Sequence, residues 1–207
     1  MSGSTDPSQF SVAQVLRKRV RGLLNLGVDP LVALLARLHI SPNVVSVVGF
    51  AITALAAWPL ATGHFVIGGL VLLGGSATDM IDGALARATG SSSKRGGFLD
   101  SNLDRVAEAG VLFGLLYYFA DRGETEEVLL VFAVLGASVL VSYVKARAEG
   151  LGLRCDVGVV TRPERVLLLG AGLISGQIAV FLYIVAAASL LTFVHRFMYV
   201  WTQAGED

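Results

Sequence analysis

Charged residues are scarce in this 207-residue chain, and Cys155 is its only cysteine. Charged side chains make up 15% of the sequence, against about 25% in soluble domains, whereas hydrophobic residues make up 54%. A single cysteine excludes an internal disulfide and the cysteine-rich zinc motifs. Sixteen basic residues are balanced by sixteen acidic ones, so the chain lacks the positive excess typical of proteins that bind nucleic acid. The composition predicts an integral membrane protein without a nucleic-acid partner.

Two long stretches of the sequence contain no Lys, Arg, Asp or Glu. The first has 39 residues, between His39 and Asp79, and the second has 29, from Val166 to Val194. Because about 20 apolar residues cross a membrane once, we divide the first at residues 61–64. We divide the second at residues 175–177, with one steeply tilted helix as the alternative. With further apolar segments at 97–120 and 128–145, the sequence predicts an all-α integral membrane fold of six transmembrane helices.

The first 38 residues have a different pattern. Apolar residues recur at helical spacing from Val12 to Leu38, and Arg17, Lys18 and Arg21 lie on the opposite side. Because membrane spans follow, we expect an amphipathic helix lying in the membrane interface. The chain is thereby divided into a tail and juxtamembrane helix over 1–38, a six-helix membrane domain over 39–203, and a polar tail over 204–207.

The distribution of basic residues predicts the orientation of these spans. With six spans and a cytoplasmic N-terminus, 15 of the 16 Lys and Arg residues fall on the cytoplasmic side. Arg122, in an acidic loop, is the exception. This asymmetry follows the positive-inside rule, and it predicts a multi-pass protein of the cell membrane.

Four aspartates lie at the cytoplasmic ends of the second and third predicted spans, where charges are costly and usually functional. Asp79 and Asp82 are three residues apart, and Asp100 and Asp104 are four apart, so each pair lies on one helix face. A short polar connection makes the two helices antiparallel neighbours, and a rise of about 1.5 Å per residue brings the carboxylates to similar depth. Four like charges in one low-dielectric site need compensation, which implies a hard divalent cation or two, facing the cytoplasm.

These aspartates belong to a longer pattern, which reads Asp79-x-x-Asp82-Gly83-x-x-Ala86-Arg87, then eight residues, then Gly96-x-x-x-Asp100-x-x-x-Asp104. The pattern resembles the signature of the CDP-alcohol phosphotransferase family at all eight positions. The resemblance implies a six-helix integral membrane transferase, usually a homodimer. Such enzymes move a phosphatidyl group from a CDP-linked lipid to an alcohol and release CMP.

The resemblance also implies roles for individual residues. Asp79, Asp82 and Asp100 would bind two metal ions, Mg²⁺ or alternatively Mn²⁺, with Asp104 beside them as a further ligand and as the catalytic base. Metal ions can neutralise a diphosphate, and a carboxylate can take the proton of the attacking hydroxyl. Seven residues would bind CDP-diacylglycerol: Asn43, Val44, Val45, Ser46, Gly83, Arg87 and Ser93.

A second, less specific pattern indicates the acceptor alcohol. The segments Ser142-Tyr-Val-Lys-Ala-Arg-Ala-Glu149 and Thr161-Arg-Pro-Glu-Arg165 are similar to the actinobacterial phosphatidylinositol-phosphate synthases, which implies myo-inositol 1-phosphate as acceptor. A cluster of basic side chains suits a phosphate dianion, although the same cations could follow the positive-inside rule or bind lipid headgroups. The predicted acceptor-phosphate residues are Ser142, Lys145, Arg147, Arg162, Arg165 and Arg196.

Other functions remain open at the level of sequence. Within the enzyme class, glycerol 3-phosphate is the next acceptor, as in a phosphatidylglycerophosphate synthase, followed by serine or free inositol. Outside it, a divalent-cation transporter could use the carboxylates, but transport sites usually lie near the bilayer midplane, often between repeats. A lipid-binding scaffold with a structural metal would leave the full pattern unexplained. We therefore favour the transferase.

Overall fold

The computed structural model describes residues 29–205, which form helices and, within that range, no strand. Helix α1 covers residues 29–37. The following helices are α2 (Pro42–Leu55), α3 (Ala57–Ala61), α4 (Phe65–Ala88), α5 (Lys94–Asp121), α6 (Thr125–Gly150), α7 (Arg162–Ser175) and α8 (Ile178–Ala204). The all-α prediction is confirmed for this part of the chain. Most of the predicted N-terminal amphipathic helix lies outside the described residues.

The ends of the helices follow from local sequence. Ser41 is the N-cap of α2 and Pro42 its first residue, as predicted, although the Ser41 side chain makes no capping hydrogen bond. α2 stops four residues before Pro59, because proline lacks an N–H and its ring clashes with the carbonyl at that position. After α7, Gly176 has a φ of 74°, a left-handed conformation that glycine adopts without strain. Helices are interrupted at both predicted breaks.

The bundle is organised around α4, which packs against α2, α3 and α7. α5 packs against α2, α3 and α6, and α8 packs against α6 and α7. Besides the main core, a smaller apolar cluster of Val32, Val45 and Leu85 joins α1, α2 and α4. On α4 this cluster lies about one helical turn from Asp82. The main core contains valines, Phe119 and a set of buried leucines, which include Leu60, Leu72, Leu112, Leu115, Leu173 and Leu182.

A glycine allows α2 and α4 to approach closely. A Cβ atom on Gly75 would lie 2.7 Å from the backbone nitrogen of Thr53, closer than real Cβ contacts. Ser46 precedes Thr53 by seven residues, and Asp82 follows Gly75 by seven. Two helical turns return to about the same face, so the close approach also brings Ser46 to Asp82.

Four parts of the structure are long and apolar enough to cross a membrane: Pro42–Ala61, Phe65–Ala88, Thr125–Gly150 and Ile178–Ala204. They agree with an integral membrane all-α fold. α5 carries several ionisable side chains, and α7 has 14 residues, which span about 21 Å at the rise of an α-helix. The total of six spans stays a prediction.

The connection between α6 and α7 has no regular backbone, but α8 holds it in place. Thr192 Oγ1 accepts hydrogen bonds from the backbone N–H groups of Val159 (3.2 Å) and Val160 (3.0 Å). Arg196 Nε donates to the carbonyl oxygen of Val157 at 2.8 Å. These bonds fix the segment that leads into α7, and therefore the position of the first turn of α7.

Candidate active site

Three aspartates from two helices meet at one end of the bundle. Asp79 and Asp82 lie on α4 and Asp100 lies on α5. Each offers one carboxylate oxygen, and these oxygens all lie within 4.8 Å of one another. Asp82 is 6% exposed. The convergence expected of four aspartates from the helical spacing is present for these three.

Asp104 is connected to this group through Arg162. The Arg162 Nη1 atom contacts Asp79 Oδ2 and also lies 2.8 Å from Asp104 Oδ1. Arg105 is a second cation beside Asp104, with Nη1 3.5 Å from Asp104 Oδ2. Arg162 is the first residue of α7, where the helix dipole disfavours a cation, so the two carboxylates are the favourable partners that hold it there.

The three-aspartate group fits a hard divalent cation. Such cations prefer carboxylate oxygens, and opposite ligands of an ion such as Mg²⁺ lie about 4.2 Å apart at about 2.1 Å from the metal. The offered oxygens all lie within 4.8 Å of one another, so little adjustment is needed to match. The formal charge of the site also fits a divalent cation. The four aspartates carry four negative charges, and Arg162 and Arg105 compensate two of them. The remaining two are the charge of one divalent cation.

A cavity of about 220 Å³ lies beside the aspartates. α2, α4 and the start of α5 surround it, and Asp82 and Asp100 form part of its wall. Ser46 Oγ donates a hydrogen bond of 2.5 Å to Asp82 Oδ2, which orients this carboxylate. Five of the seven residues predicted to bind CDP-diacylglycerol line the cavity: Asn43, Ser46, Gly83, Arg87 and Ser93.

The wall formed by α5 depends on a helix cap and a glycine. Ser93 is the N-cap of α5, and its Oγ accepts a hydrogen bond from the Gly96 N–H at 3.0 Å. A Cβ atom on Gly96 would lie 3.1 Å from Asn43 Oδ1, so glycine leaves room for Asn43 at the rim. The N-terminus of α5 thus faces the cavity with partial positive charge, which favours an anionic ligand.

The other two predicted lipid-binding residues are not among those that line the cavity. Val44 is 53% exposed, and Val45 is buried in the apolar cluster with Val32 and Leu85. Successive residues of a helix point in different directions, so the run from Asn43 to Ser46 can present only its two ends to one cavity.

The predicted acceptor-phosphate residues have separate environments. Within residues 29–205, Arg162 is the member of this set that contacts an aspartate of the site. Arg165 is 3% exposed and forms a bidentate pair with Glu108, with hydrogen bonds of 3.0 and 3.1 Å. Arg196 is 6% exposed, and besides Val157 it donates to the carbonyl oxygen of Val141 at 2.9 Å.

The three remaining members lie on α6. Ser142 Oγ accepts a hydrogen bond of 3.3 Å from Arg105 Nε, which links it to the Asp104 side of the site. Lys145 lies 3.5 Å from Asp156 and 3.8 Å from Glu149 in solvent-exposed pairs. Arg147 is exposed.

Sequence reasoning missed Glu108 and two serines of the cavity. Glu108 follows Asp104 by four residues, so the i, i+4 spacing that selected Asp100 and Asp104 would also have reached it. Ser91 and Ser92 line the cavity, and the signal for them was the polar Ser/Gly-rich connection itself. The signal for the Arg165–Glu108 pair was weaker, because its members are 57 residues apart.

Comparison with known proteins gives a consistent set of matches. The family model described as CDP-alcohol phosphatidyltransferase matches residues 39–204. A phosphatidylinositol phosphate synthase of Mycobacteroides abscessus is 39% identical over 186 residues, which cover 86% of this chain and 84% of the relative. An archaetidylinositol phosphate synthase of Pyrococcus horikoshii is 37% identical over 163 residues, which cover 78% of this chain and 84% of the relative.

Two similar solved structures are of the phosphatidylinositol phosphate synthase of Mycobacterium tuberculosis. The crystal structure with CDP-DAG bound has a TM-score of 0.78 and 32% identity, over 84% of this chain and 94% of that one. The crystal structure in complex with manganese and citrate has a TM-score of 0.76 and 33% identity, over 84% of this chain and 88% of that one.

Proposed function

Since the chain belongs to the CDP-alcohol phosphatidyltransferase family, we propose that it transfers the phosphatidyl group of CDP-diacylglycerol to myo-inositol 1-phosphate. The chain is a membrane transferase of phospholipid biosynthesis. In the proposed reaction, an inositol hydroxyl attacks the phosphorus that carries the diacylglycerol group. The bond from that phosphorus to the CMP oxygen breaks, so the products are phosphatidylinositol phosphate and CMP.

The position of the cavity is the observation that supports CDP-diacylglycerol as the donor substrate. It is lined by Asn43, Ser46, Gly83 and Arg87 and shares a wall with the aspartate group. A cytidine diphosphate group in this cavity would have its phosphates close to Asp82 and Asp100. A divalent cation held by the aspartates would neutralise the diphosphate and stabilise the CMP leaving group. We propose Mg²⁺, with two ions in the complete site, and Mn²⁺ as an alternative.

Asp104 is the proposed base. It lies beyond Asp100 on α5, on the side where Arg162 and Arg105 are placed. Arg162 and Arg105 both contact its side chain, and a carboxylate at this position can accept the proton of the acceptor hydroxyl. Asp79, Asp82 and Asp100 are the proposed metal ligands.

The acceptor assignment rests on the cations on the Asp104 side and on the relatives. Arg162 contacts Asp104, and Ser142 is linked to Asp104 through Arg105. We propose that Arg162, Ser142 and Lys145 meet the acceptor phosphate directly. Arg165 and Arg196 already donate to Glu108 and to backbone carbonyls, and with Arg147 they complete the positive surroundings. The two relatives named above differ in the lipid part of their names and share the inositol phosphate part.

Release of CMP from CDP-diacylglycerol by the purified protein tests the assignment. The candidate acceptors are inositol 1-phosphate, free inositol, glycerol 3-phosphate and serine. We expect kcat/KM to be highest for inositol 1-phosphate. Lys145→Ala should lower kcat/KM for that acceptor by about 10- to 150-fold, the effect of one charge-assisted contact, and change the KM for CDP-diacylglycerol much less. Efficient use of free inositol by the parent enzyme would contradict the phosphate-acceptor assignment.

We further propose a homodimer in the cell membrane, with six spans in residues 39–203 and the site facing the cytoplasm. The match of the family model to residues 39–204 supports the bounds of this domain. Cysteine labelling tests the orientation in a Cys155→Ser background, because Cys155 is the one cysteine of the chain. Gly123→Cys should react with a membrane-impermeant maleimide in intact cells, and Ser92→Cys only after permeabilisation. The reverse result would contradict the proposed orientation.

A further inference from the structure

Arg162 contacts Asp79, one of the carboxylates that a divalent cation would use. Its guanidinium joins Asp79 of α4 to Asp104 of α5, and Asp79 also belongs to the three-aspartate group. The Arg162 side chain is 14% exposed, so water screens its charge only weakly. A positive charge on one oxygen of Asp79 repels a divalent cation on the other oxygen and weakens Asp79 as a ligand.

The side chains around Arg162 favour its ion pairs with Asp79 and Asp104. Both oxygens of Glu108, the nearby acid on its inner side, accept hydrogen bonds from Arg165. Arg162 Nε and Ser76 Oγ are buried and have no hydrogen-bond partner among residues 29–205. Both residues line a cavity of about 20 Å³ together with Glu108, which is enough space for one water. The inner side of the guanidinium can therefore be hydrated, whereas its strong ionic partners are Asp79 and Asp104.

We propose that Arg162 is a built-in competitor of the divalent cation: it compensates Asp79 and Asp104 in the metal-free protein and gives up Asp79 when the cation binds. The released guanidinium is then available to an acceptor phosphate, so metal binding prepares the acceptor site. This inference rests on the proposed function for the metal site, and not on the identity of the acceptor.

Metal titration of the full-length protein in detergent tests the inference, with no CDP-lipid and no acceptor present. The dissociation constant for Mn²⁺ is measured by calorimetry for the parent protein, Arg162→Gln and Arg105→Gln. Arg105 is the matched control, because it also pairs with Asp104, at 3.5 Å, and its side chain is 39% exposed. We expect Arg162→Gln to bind Mn²⁺ about 10- to 100-fold more tightly, the effect of removing one charge-assisted contact. Arg105→Gln should change the constant by less than about threefold, as for an exposed ion pair.

Three results would overturn the inference. One is unchanged or weaker binding by Arg162→Gln with normal thermal unfolding, and another is an equal gain in both variants, which would indicate a long-range charge effect. The third comes from Arg162→Lys, which keeps the positive charge and should therefore bind Mn²⁺ with an affinity close to that of the parent. This variant is informative even if Arg162→Gln does not fold, because a gain of about 10-fold or more with the charge retained would contradict competition by charge. A parent protein that binds no divalent cation would instead overturn the proposed metal site itself.

Discussion

Substitution of Gly75 by alanine tests whether the contact between α2 and α4 sets the geometry of the cavity of about 220 Å³ beside the aspartates. The added Cβ would lie 2.3 Å from Thr53 Oγ1, 2.7 Å from Thr53 N and 2.9 Å from Thr53 Cα. The hydroxyl can rotate away, but the two backbone atoms cannot. Since an ordinary contact begins at 3.4 Å, the helices must separate by about 0.7 Å. Ser46 and Asp82 lie two turns away on the same interface, so their hydrogen bond of 2.5 Å would lengthen to about 3.2 Å.

The matched control is the neighbouring glycine of the same helix. A Cβ atom on Gly74 would have nothing within 4 Å among the described residues, and both substitutions gain the same helix propensity. The difference between the two variants is therefore the cost of overpacking, about 1–3 kcal/mol. For a chain of this size, that difference corresponds to roughly 2–12 °C in Tm.

Thermal unfolding in detergent and the KM for CDP-diacylglycerol provide the two measurements. We expect Gly75→Ala to unfold at a lower temperature than Gly74→Ala and to have a KM raised several-fold, because α2 carries three cavity residues, Pro42, Asn43 and Ser46. Equal unfolding temperatures would refute the tight contact. A lower Tm with an unchanged KM would refute the connection between this contact and the cavity.

Three further substitutions test separate parts of the site. Asp82→Asn should abolish metal binding and turnover, and full activity of the parent after exhaustive EDTA treatment, with no metal left by elemental analysis, would contradict the metal requirement. Asp104→Asn should keep CDP-lipid binding while turnover falls by about 10²- to 10⁴-fold, as expected for loss of a general base; near-parental turnover would exclude that role. Glu108→Gln should destabilise the protein by about 3–5 kcal/mol, because it leaves Arg165 buried without its countercharge. Glu149→Gln, in an exposed pair, should cost less than about 1 kcal/mol, and equal losses in these two variants would show that the Glu108 pair is not buried as described.

Features set by local sequence were predictable. The turns at residues 61–64 and 175–177 follow from glycine and polar residues within apolar stretches, and the structure has them there. The meeting of Asp79, Asp82 and Asp100 follows from two regular helices and a short connection, because the helical repeat then determines the position of each carboxylate. The break before Pro59 was also readable from the proline, although the predicted first span passed through it.

Features that depend on long-range contacts were not predictable from one sequence. The charge of Arg162 predicts an anionic partner, but does not identify Asp79, which is 83 residues away along the chain. The charge of Arg196 likewise does not predict its hydrogen bonds to carbonyl oxygens of the α6–α7 connection and of α6. A basic residue predicts that its partner carries a negative full or partial charge, but it does not identify the partner residue. The position of these residues depends on how α7 and α8 pack, which the pattern of apolar residues leaves open.

The pairing of acidic and basic side chains between α4, α5 and α7 has a consequence for biosynthesis. Asp79, Asp104 and Glu108 are synthesised before Arg162 and Arg165, and 57 residues separate Glu108 from Arg165. At about 5–20 residues per second, the ribosome needs roughly 3–11 seconds to make that stretch. During this interval the acidic helices have no arginine from α7 to pair with. A nascent chain that stops before residue 162 would therefore leave Asp79 and Glu108 without the arginines that pair with them in the complete protein.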